Sequence, residues 1–145
     1  MDFFTAMEVS ATGLNAERTR INVASSNLAN AQTTKTANGG PYQRRDVILH
    51  SAPPSEGISG AQAGDPASAV QGVQVQGIKA DASPPRLEYD PSHPDANADG
   101  YVAYPNVNVV EEMVDMITAS RAYQAGVTAL ESAVSLAERA LTIGK

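Results

Sequence analysis

Apolar residues recur on a heptad at both ends of the chain. Phe4, Met7, Ala11, Leu14, Ile21 and Leu28 follow alternating steps of three and four, with Arg18 and Ser25 interrupting the series. Towards the C-terminus Val109, Met113, Met116, Tyr123, Val127, Leu130, Val134, Ala137 and Leu141 repeat those steps, with Ser120 the one polar member. Such spacing keeps a stripe on one helical face and suits left-handed packing against another helix. The pattern predicts a helix over residues 3 to about 29 and a second from Asn106 or Asn108 to about Ile143. Asp2 is placed to cap the first and Asn30 to stop it. Asn108 with Glu111 makes a capping box for the second, Glu112 adds an acid to its positive first turn, and Gly144 ends it. Gly13 and Gly126 fall inside the helices, each costing about 1 kcal/mol against Ala unless a neighbouring backbone needs the space.

Between the stripes the periodicity changes. Residues 33–40 are a polar, glycine-rich loop, and the prolines and most glycines concentrate in 41–105, which excludes a long helix there. Short strands are predicted at Arg45–His50, Gly72–Ala80 and Arg86–Tyr89, with a further ribbon strand at Gly100–Tyr104. In the second of these Val73, Val75 and Ile78 nearly alternate, and Gly77 interrupts them as a bulge does. The 51–70 stretch is poor in large apolar residues and reads as a surface loop. The expected fold is therefore mainly α with a small β-rich insert. Long N- and C-terminal helices pair as a coiled-coil-like bundle, with residues 1–32 and 107–145 as the helical parts and 33–106 as the loop and short-strand region.

Composition narrows the function classes. The 145 residues suffice for one domain, and 42% are hydrophobic, yet there is no Trp and there are only two Phe. Ala and Val carry much of the apolar content, which favours thin helix seams over a thick core. A single intramolecular helix pair of this kind is marginal, so further partner helices are expected. The net charge of -6 argues against a nucleic-acid face, and no basic cluster marks an anionic membrane surface. No apolar run is long enough for a membrane helix, and the first residues lack the basic leader and apolar core of a cleavable secretory signal. The absence of cysteine removes disulfides and thiolate metal sites.

Asp95, Asn97, Asp99 and Gly100 match the first half of a calcium loop. Position twelve falls on Asn106 rather than a bidentate Glu, and Pro91 and Pro94 forbid the entering helix. An acidic Asp-Gly turn is the favoured reading, with a calcium-dependent binding module as the alternative. His50 and His93 stand apart from other ligand types, and Glu111 with Asp115 reads as a solvated helix face. No nucleophile motif, phosphate loop or dinucleotide fingerprint occurs. The expectation is no enzyme activity, no cofactor, no metal and no small-molecule substrate.

Two further sets of residues carry a family resemblance. Ala11-Thr12-Gly13-Leu14, Asn22, Ala24 and Asn27-Leu28-Ala29-Asn30 form the first. Asp99-Gly100-Tyr101-Val102, Pro105-Asn106-Val107-Asn108, Glu112-Met113, Asp115-Met116, Ala119-Ser120-Arg121, Tyr123-Gln124-Ala125 and Leu141-Thr142-Ile143-Gly144 form the second. Together they resemble the flagellar rod, hook and related axial proteins, with Gly126 standing where that family commonly has Asn. The resemblance implies a structural subunit of the bacterial flagellar basal body, in the periplasm-spanning proximal rod. It implies export by the flagellar type III apparatus without signal cleavage, and assembly into a helical tube that transmits torque and encloses the export channel. Implied partners are copies of the chain, other proximal-rod subunits, and the adaptor joining the rod to the inner-membrane ring. For the packing itself, Met7, Leu14, Ile21 and Leu28 are expected against Met113, Met116, Tyr123, Val127, Leu130, Val134 and Leu141, within or between subunits. Asn27, Asn30 and Arg121 are the polar candidates for fixing register, since a misplaced buried amide or charge is costly.

Overall fold

Helix α1 spans Phe3–Ala29 and helix α2 spans Val109–Ile143; between them lie β1 (Arg45–Ala52), β2 (Gly72–Ala80), β3 (Arg86–Tyr89) and β4 (Tyr101–Tyr104). They belong to a computed structural model of the chain, which describes residues 3–52 and 71–143. The chain is thus mainly α with a small β insert. Asp2, Gly144 and most of the 51–70 loop lie outside the described residues.

Local chemistry sets the helix ends. The Asn30 backbone amide donates to Ser26 O at 3.1 Å, its side-chain Nδ2 donates to the same carbonyl at 2.8 Å, and Thr33 Oγ1 donates to Asn30 Oδ1 at 3.2 Å. The Ser26 carbonyl in the last turn of α1 thus accepts twice, and the Ala31 amide satisfies Leu28 O at 3.3 Å. At the start of α2, Asn108 Oδ1 accepts the Val110 amide at 3.1 Å while its carbonyl takes the Glu112 amide at 3.0 Å. That is an N-cap. Within α1 the hydroxyls of Ser10, Thr12 and Thr19 turn back onto the carbonyls of Ala6, Val9 and Asn15, so the helix carries them at little polar cost.

The strands form two separate ribbons. β1 pairs with β2, and β3 pairs with β4. The second ribbon is antiparallel, with Arg86 opposite Tyr104, Leu87 opposite Ala103, Glu88 opposite Val102 and Tyr89 opposite Tyr101. Neither is stable alone in water, since two strands bury too little. Short turns bound β3. Ser83 and Ser92 each donate hydroxyl and amide to the carboxylates of Asp81 and Asp90, holding both carboxyls below their ordinary range. These turns are tightest above the usual carboxylate range and slacken as pH falls through the lowered values.

The chain folds as two compact units. One contains α1 up to Thr19, the described parts of Leu49–Gln76, and α2 from Thr118. Within it Thr12 Oγ1 accepts the Val73 amide at 3.1 Å, and a Cβ added at Gly126 would stand 2.8 Å from Leu14 Cδ2. The two helices therefore touch here at a glycine. Space is needed at Gly126, not at Gly13, where nothing comes within 4 Å. Ala16 and Ala119 are buried in the same unit.

The other unit holds Arg20–Ile48 and Gly77–Ile117. Val23, Ala24, Tyr42, Val102 and Val107 form its apolar core, together with buried Asn27 and Glu112. On α1 the buried positions are thus Ala16, Val23, Ala24 and Asn27, lying beside the heptad series that begins at Phe4. Small side chains admit the closest backbone approach, and the larger Leu14, Ile21 and Leu28 sit half-buried at the margins.

Two glycine substitutions separate these environments. Gly13→Ala is expected to raise unfolding stability in urea by about 1 kcal/mol, because only helix propensity changes. Gly100→Ala is expected to lower it by about 1–3 kcal/mol, since Gly100 holds φ +81° and its added methyl would stand 2.9 Å from the Tyr89 ring. Equal responses at both positions would contradict this account.

Candidate functional site

The densest polar constellation among the described residues is a buried knot where the end of α1, the approach to β1 and the first turn of α2 meet. Asn27 lies at its centre, 1% exposed. Its Oδ1 accepts the Arg45 amide at 2.9 Å and the Tyr42 hydroxyl at 2.9 Å. Its Nδ2 donates to Arg45 O at 2.8 Å and to Glu112 Oε2 at 3.0 Å. Two donors and two acceptor positions are all that an amide side chain has, and each is used. Towards Arg45 the amide behaves as a strand would, bonding both the N–H and the C=O of one residue.

Glu112, 2% exposed, accepts Arg44 Nε at 2.6 Å through its other oxygen. A carboxylate out of water costs several kcal/mol unless a charge and hydrogen bonds replace its hydration. Arg44 and Asn27 supply both. Burial pulls the Arg44 guanidinium down, but the hydrogen bond and charge of Glu112, with the charges of Asp46 and Asp115, outweigh it and hold Arg44 above its ordinary value. Asp46 and Asp115 lie 3.8 Å away at the more exposed side. Asn106 joins the knot by accepting the Arg44 amide at 3.0 Å, and Arg45 stacks over the Tyr42 ring at 5.7 Å. Asn27, Arg44, Glu112 and Asp115 also line a small cleft, and the bonds among them lock chain segments together.

The sequence-derived candidates fall in several places. Asn27 is the hub of the knot, and Asn30 closes α1. Met7, Leu14, Ile21, Leu28, Met116, Tyr123, Val127 and Leu130 are half-buried, and Arg121 is exposed. Met113, Val134 and Leu141 are exposed, at 46%, 36% and 75%. Glu112, Arg44, Tyr42 and Asn106 were not singled out for this role by spacing. Glu112 reads in sequence as an ordinary first-turn acid, and no local signal tells that Arg44 will meet it.

α2 has a second apolar face. In the unit that ends at Ile117, Glu112 and Met116 turn inward, while Val110, Met113, Val114 and Ile117 follow the i, i+3, i+4, i+7 spacing at 69%, 46%, 57% and 50% exposure. Four large apolar side chains on one exposed face mark a surface built for contact.

The Asp95–Gly100 loop turns its polar groups on itself. Asn97 Oδ1 accepts the amides of Asp99 and Tyr101 at 3.0 and 2.9 Å, and Asp95 takes the Thr34 hydroxyl at 2.8 Å. His93 Nδ1 accepts the Asp95 amide. Among the described residues no group of three His, Asp or Glu side chains is arranged to hold a metal ion.

Substitutions in the knot should be costly far beyond their size. Arg44→Met removes the guanidinium that hydrogen-bonds Glu112 and is expected to lower stability by about 3–5 kcal/mol. Asn27→Asp sets a second carboxylate against Glu112, with a similar loss at neutral pH that is partly recovered on acidification as one of the facing carboxyls takes up a proton. Urea unfolding across pH measures both; a loss under 1 kcal/mol for either, about what a typical mutation costs, would show that the knot does not bear on stability.

The family described as flagella basal body rod protein matches residues 7–35, and the family described as flagellar basal body rod FlgEFG protein C-terminal matches residues 98–143. The knot draws Asn27 from the first stretch and Asn106 and Glu112 from the second. The flagellar basal-body rod protein FlgC of Bacillus subtilis is 45% identical over 100% of both chains. That of Borreliella burgdorferi is also 45% identical, over 99% of this chain and 98% of its own, and that of Salmonella typhimurium is 36% identical over 100% of both. With full-length similarity of this extent, the chain belongs to the FlgC family of flagellar basal-body rod proteins and is a structural subunit of that rod, not an enzyme.

Proposed function

We propose that the chain builds the proximal rod by pairing its two terminal helices antiparallel and offering the outer face of α2 to neighbouring subunits. The carrying observation is that α2 is apolar on two faces, only one of which is covered by its own chain. Residues 1–32 and 107–145 form the axial parts in this reading, and 33–106 stands outside them. Two contacts support the pairing: Leu14 lies against Gly126, and Asn27 bonds Glu112. Met7, Leu14, Ile21 and Leu28 share that seam with Met116, Tyr123, Val127 and Leu130. Met113, Val134 and Leu141 pack on the next subunit, where Arg121 is placed for an interhelical ion pair.

Contacts of this kind are heterologous, a face of one copy against a different face of the next. They do not close on themselves, so they generate a helical tube around a channel and carry torque along it. Neighbours are copies of this chain, other proximal-rod subunits and, at the base, the adaptor that meets the inner-membrane ring. Delivery is by the flagellar export apparatus into the periplasm-spanning part of the basal body.

Val114→Asp and Leu130→Asp distinguish the two faces. Val114→Asp alters an exposed position, so monomer stability should change by no more than about 0.5 kcal/mol while rod assembly and motility are lost. Leu130→Asp should destabilise the monomer by about 2–4 kcal/mol and abolish assembly as well. Rods formed at normal yield by the Val114 variant would refute the outer-face assignment.

A further inference from the structure

We infer that a cleft beside the start of β1 receives the Asp99 turn of a second copy of this chain, with the Asp99 carboxylate bonded to the Arg45 guanidinium. The cleft measures about 440 Å3 and is walled by the 36–41 loop, Tyr42, Arg45, Ala80 at the end of β2, and Asn106. Among the described residues no Asp or Glu lines it, and Arg45 is its one charged member, in a chain whose net charge is -6. Asn27 holds both the amide and the carbonyl of Arg45, and the guanidinium rests 5.7 Å over the Tyr42 ring. The cation is therefore placed before any partner arrives. Among the described residues it has no carboxylate within ion-pair distance. The acids next to lining residues in sequence are engaged otherwise. Asp46 lies 3.8 Å from Arg44, and Asp81 accepts the Ser83 hydroxyl and amide. The Nδ2 of Asn106 is also without an acceptor among the described residues. Donors and one unspent cation mark a site for a group that accepts hydrogen bonds and carries negative charge.

A single guanidinium matches a single carboxylate, which it can hold through two parallel bonds. Nucleic acid and anionic lipid present many charges, and Asp46 and Asp81 beside one cation repel them. Shape narrows the source further. The acids of α1 and α2 stand on cylinders about 10–12 Å across, too wide for a cleft of this size. Of the described acids outside the helices and the cleft margin, Glu88 lies 3.7 Å from Arg86, Asp90 accepts from Ser92, and Asp95 accepts the Thr34 hydroxyl. Asp99 is exposed, and its carboxylate has no ion-pair partner among the described residues. It stands on a tight turn closed by the Gly100 amide on Asn97 O at 3.0 Å and the Asn97 amide on Tyr101 O at 2.9 Å. Asn97 Oδ1 braces that turn from within by accepting the amides of Asp99 and Tyr101. A narrow, preset tip with an unspent carboxylate thus complements a concave, preset site with an unspent cation, and both are carried by the same chain. The giving and receiving surfaces differ, so the contact is heterologous and does not close.

The inference rests on the rod reading only for bringing copies side by side, and cross-linking in cells that assemble basal bodies keeps the two apart. The chain has no cysteine, so introduced thiols report alone. One copy carries Ala80→Cys at the cleft wall and a co-produced copy carries Ala98→Cys beside Asp99; a short bis-maleimide joins them, and mass spectrometry identifies the linked peptides. A product joining positions 80 and 98 is therefore between copies by construction. Arg45→Gln and Asp99→Asn, each made in both copies, should lower its yield about fivefold or more, while urea unfolding of the purified chains shows them still folded. Arg45→Glu should abolish it, and adding Asp99→Arg should restore it, an exchange that a merely structural role for either residue would not repair. Rods at normal yield without the product overturn the inference and leave the rod reading standing. Indifference of the product to the single changes, or a double exchange no better than Arg45→Glu alone, overturns it as well. A charge-dependent product in cells where Val114→Asp still forms normal rods would uphold the contact and count against the helix packing alone.

Discussion

Glu112 occupies the first turn of α2, where exposed helix amides favour negative charge. Those amides do not replace the water that burial removes, and the carboxylate is tolerable only because Arg44 and Asn27 reach it. The three residues come from α2, the approach to β1 and the end of α1, far apart in sequence. The knot fixes how these three segments meet, because any other arrangement leaves a buried charge unpaired and the Asn27 amide without its four bonds. Asn106 and the Asn108 cap then fix where α2 starts relative to β1. Register here is set by polar satisfaction, with apolar burial supplying the cohesion.

With its inner face settled in this way, α2 is free to present the other. Val110, Met113, Val114 and Ile117 would be a liability on a monomer of no net charge, since contiguous apolar area promotes indiscriminate association. A charge of -6 opposes that before assembly. Exposed apolar area along α2 also accounts for the modest core. Much of the stabilisation expected from residues such as Leu136 and Leu141, 67% and 75% exposed in one chain, is unavailable to it alone.

Both helices, their Asn30 and Asn108 ends and the four strands were legible in the sequence because each depends on short-range signals: heptad steps, capping residues and glycine- or proline-bounded alternation. β1 runs two residues beyond His50, a boundary that alternation does not fix. What spacing could not convey is which side of a broad apolar stripe is innermost. Ala16, Ala24 and Ala119 are almost fully buried because they are small enough for close approach, while hydropathy ranks Leu14 or Met113 above them. Asn27 was identifiable as a polar candidate for fixing register, although it lies beside the heptad series and not in it. Its partner Glu112 was not, because an acid at a helix start has a sufficient local explanation and the Arg44 contact spans 68 positions. Gly126 is similar: nothing near it in sequence tells that Leu14 needs its space.

An apolar helix face is a poor discriminator. Any helix with a matching stripe buries comparable area against it, and a family of related axial subunits offers many such stripes. Selection among neighbours therefore has to come from positions where a mismatch is penalised, and those are charged or geometrically rigid. On this chain such a penalty sits around Glu112, where it acts on the chain's own fold and excludes a wrong register. Apolar helix faces thus supply cohesion without direction, and the buried ion pair supplies direction at a point where a mismatch is costly.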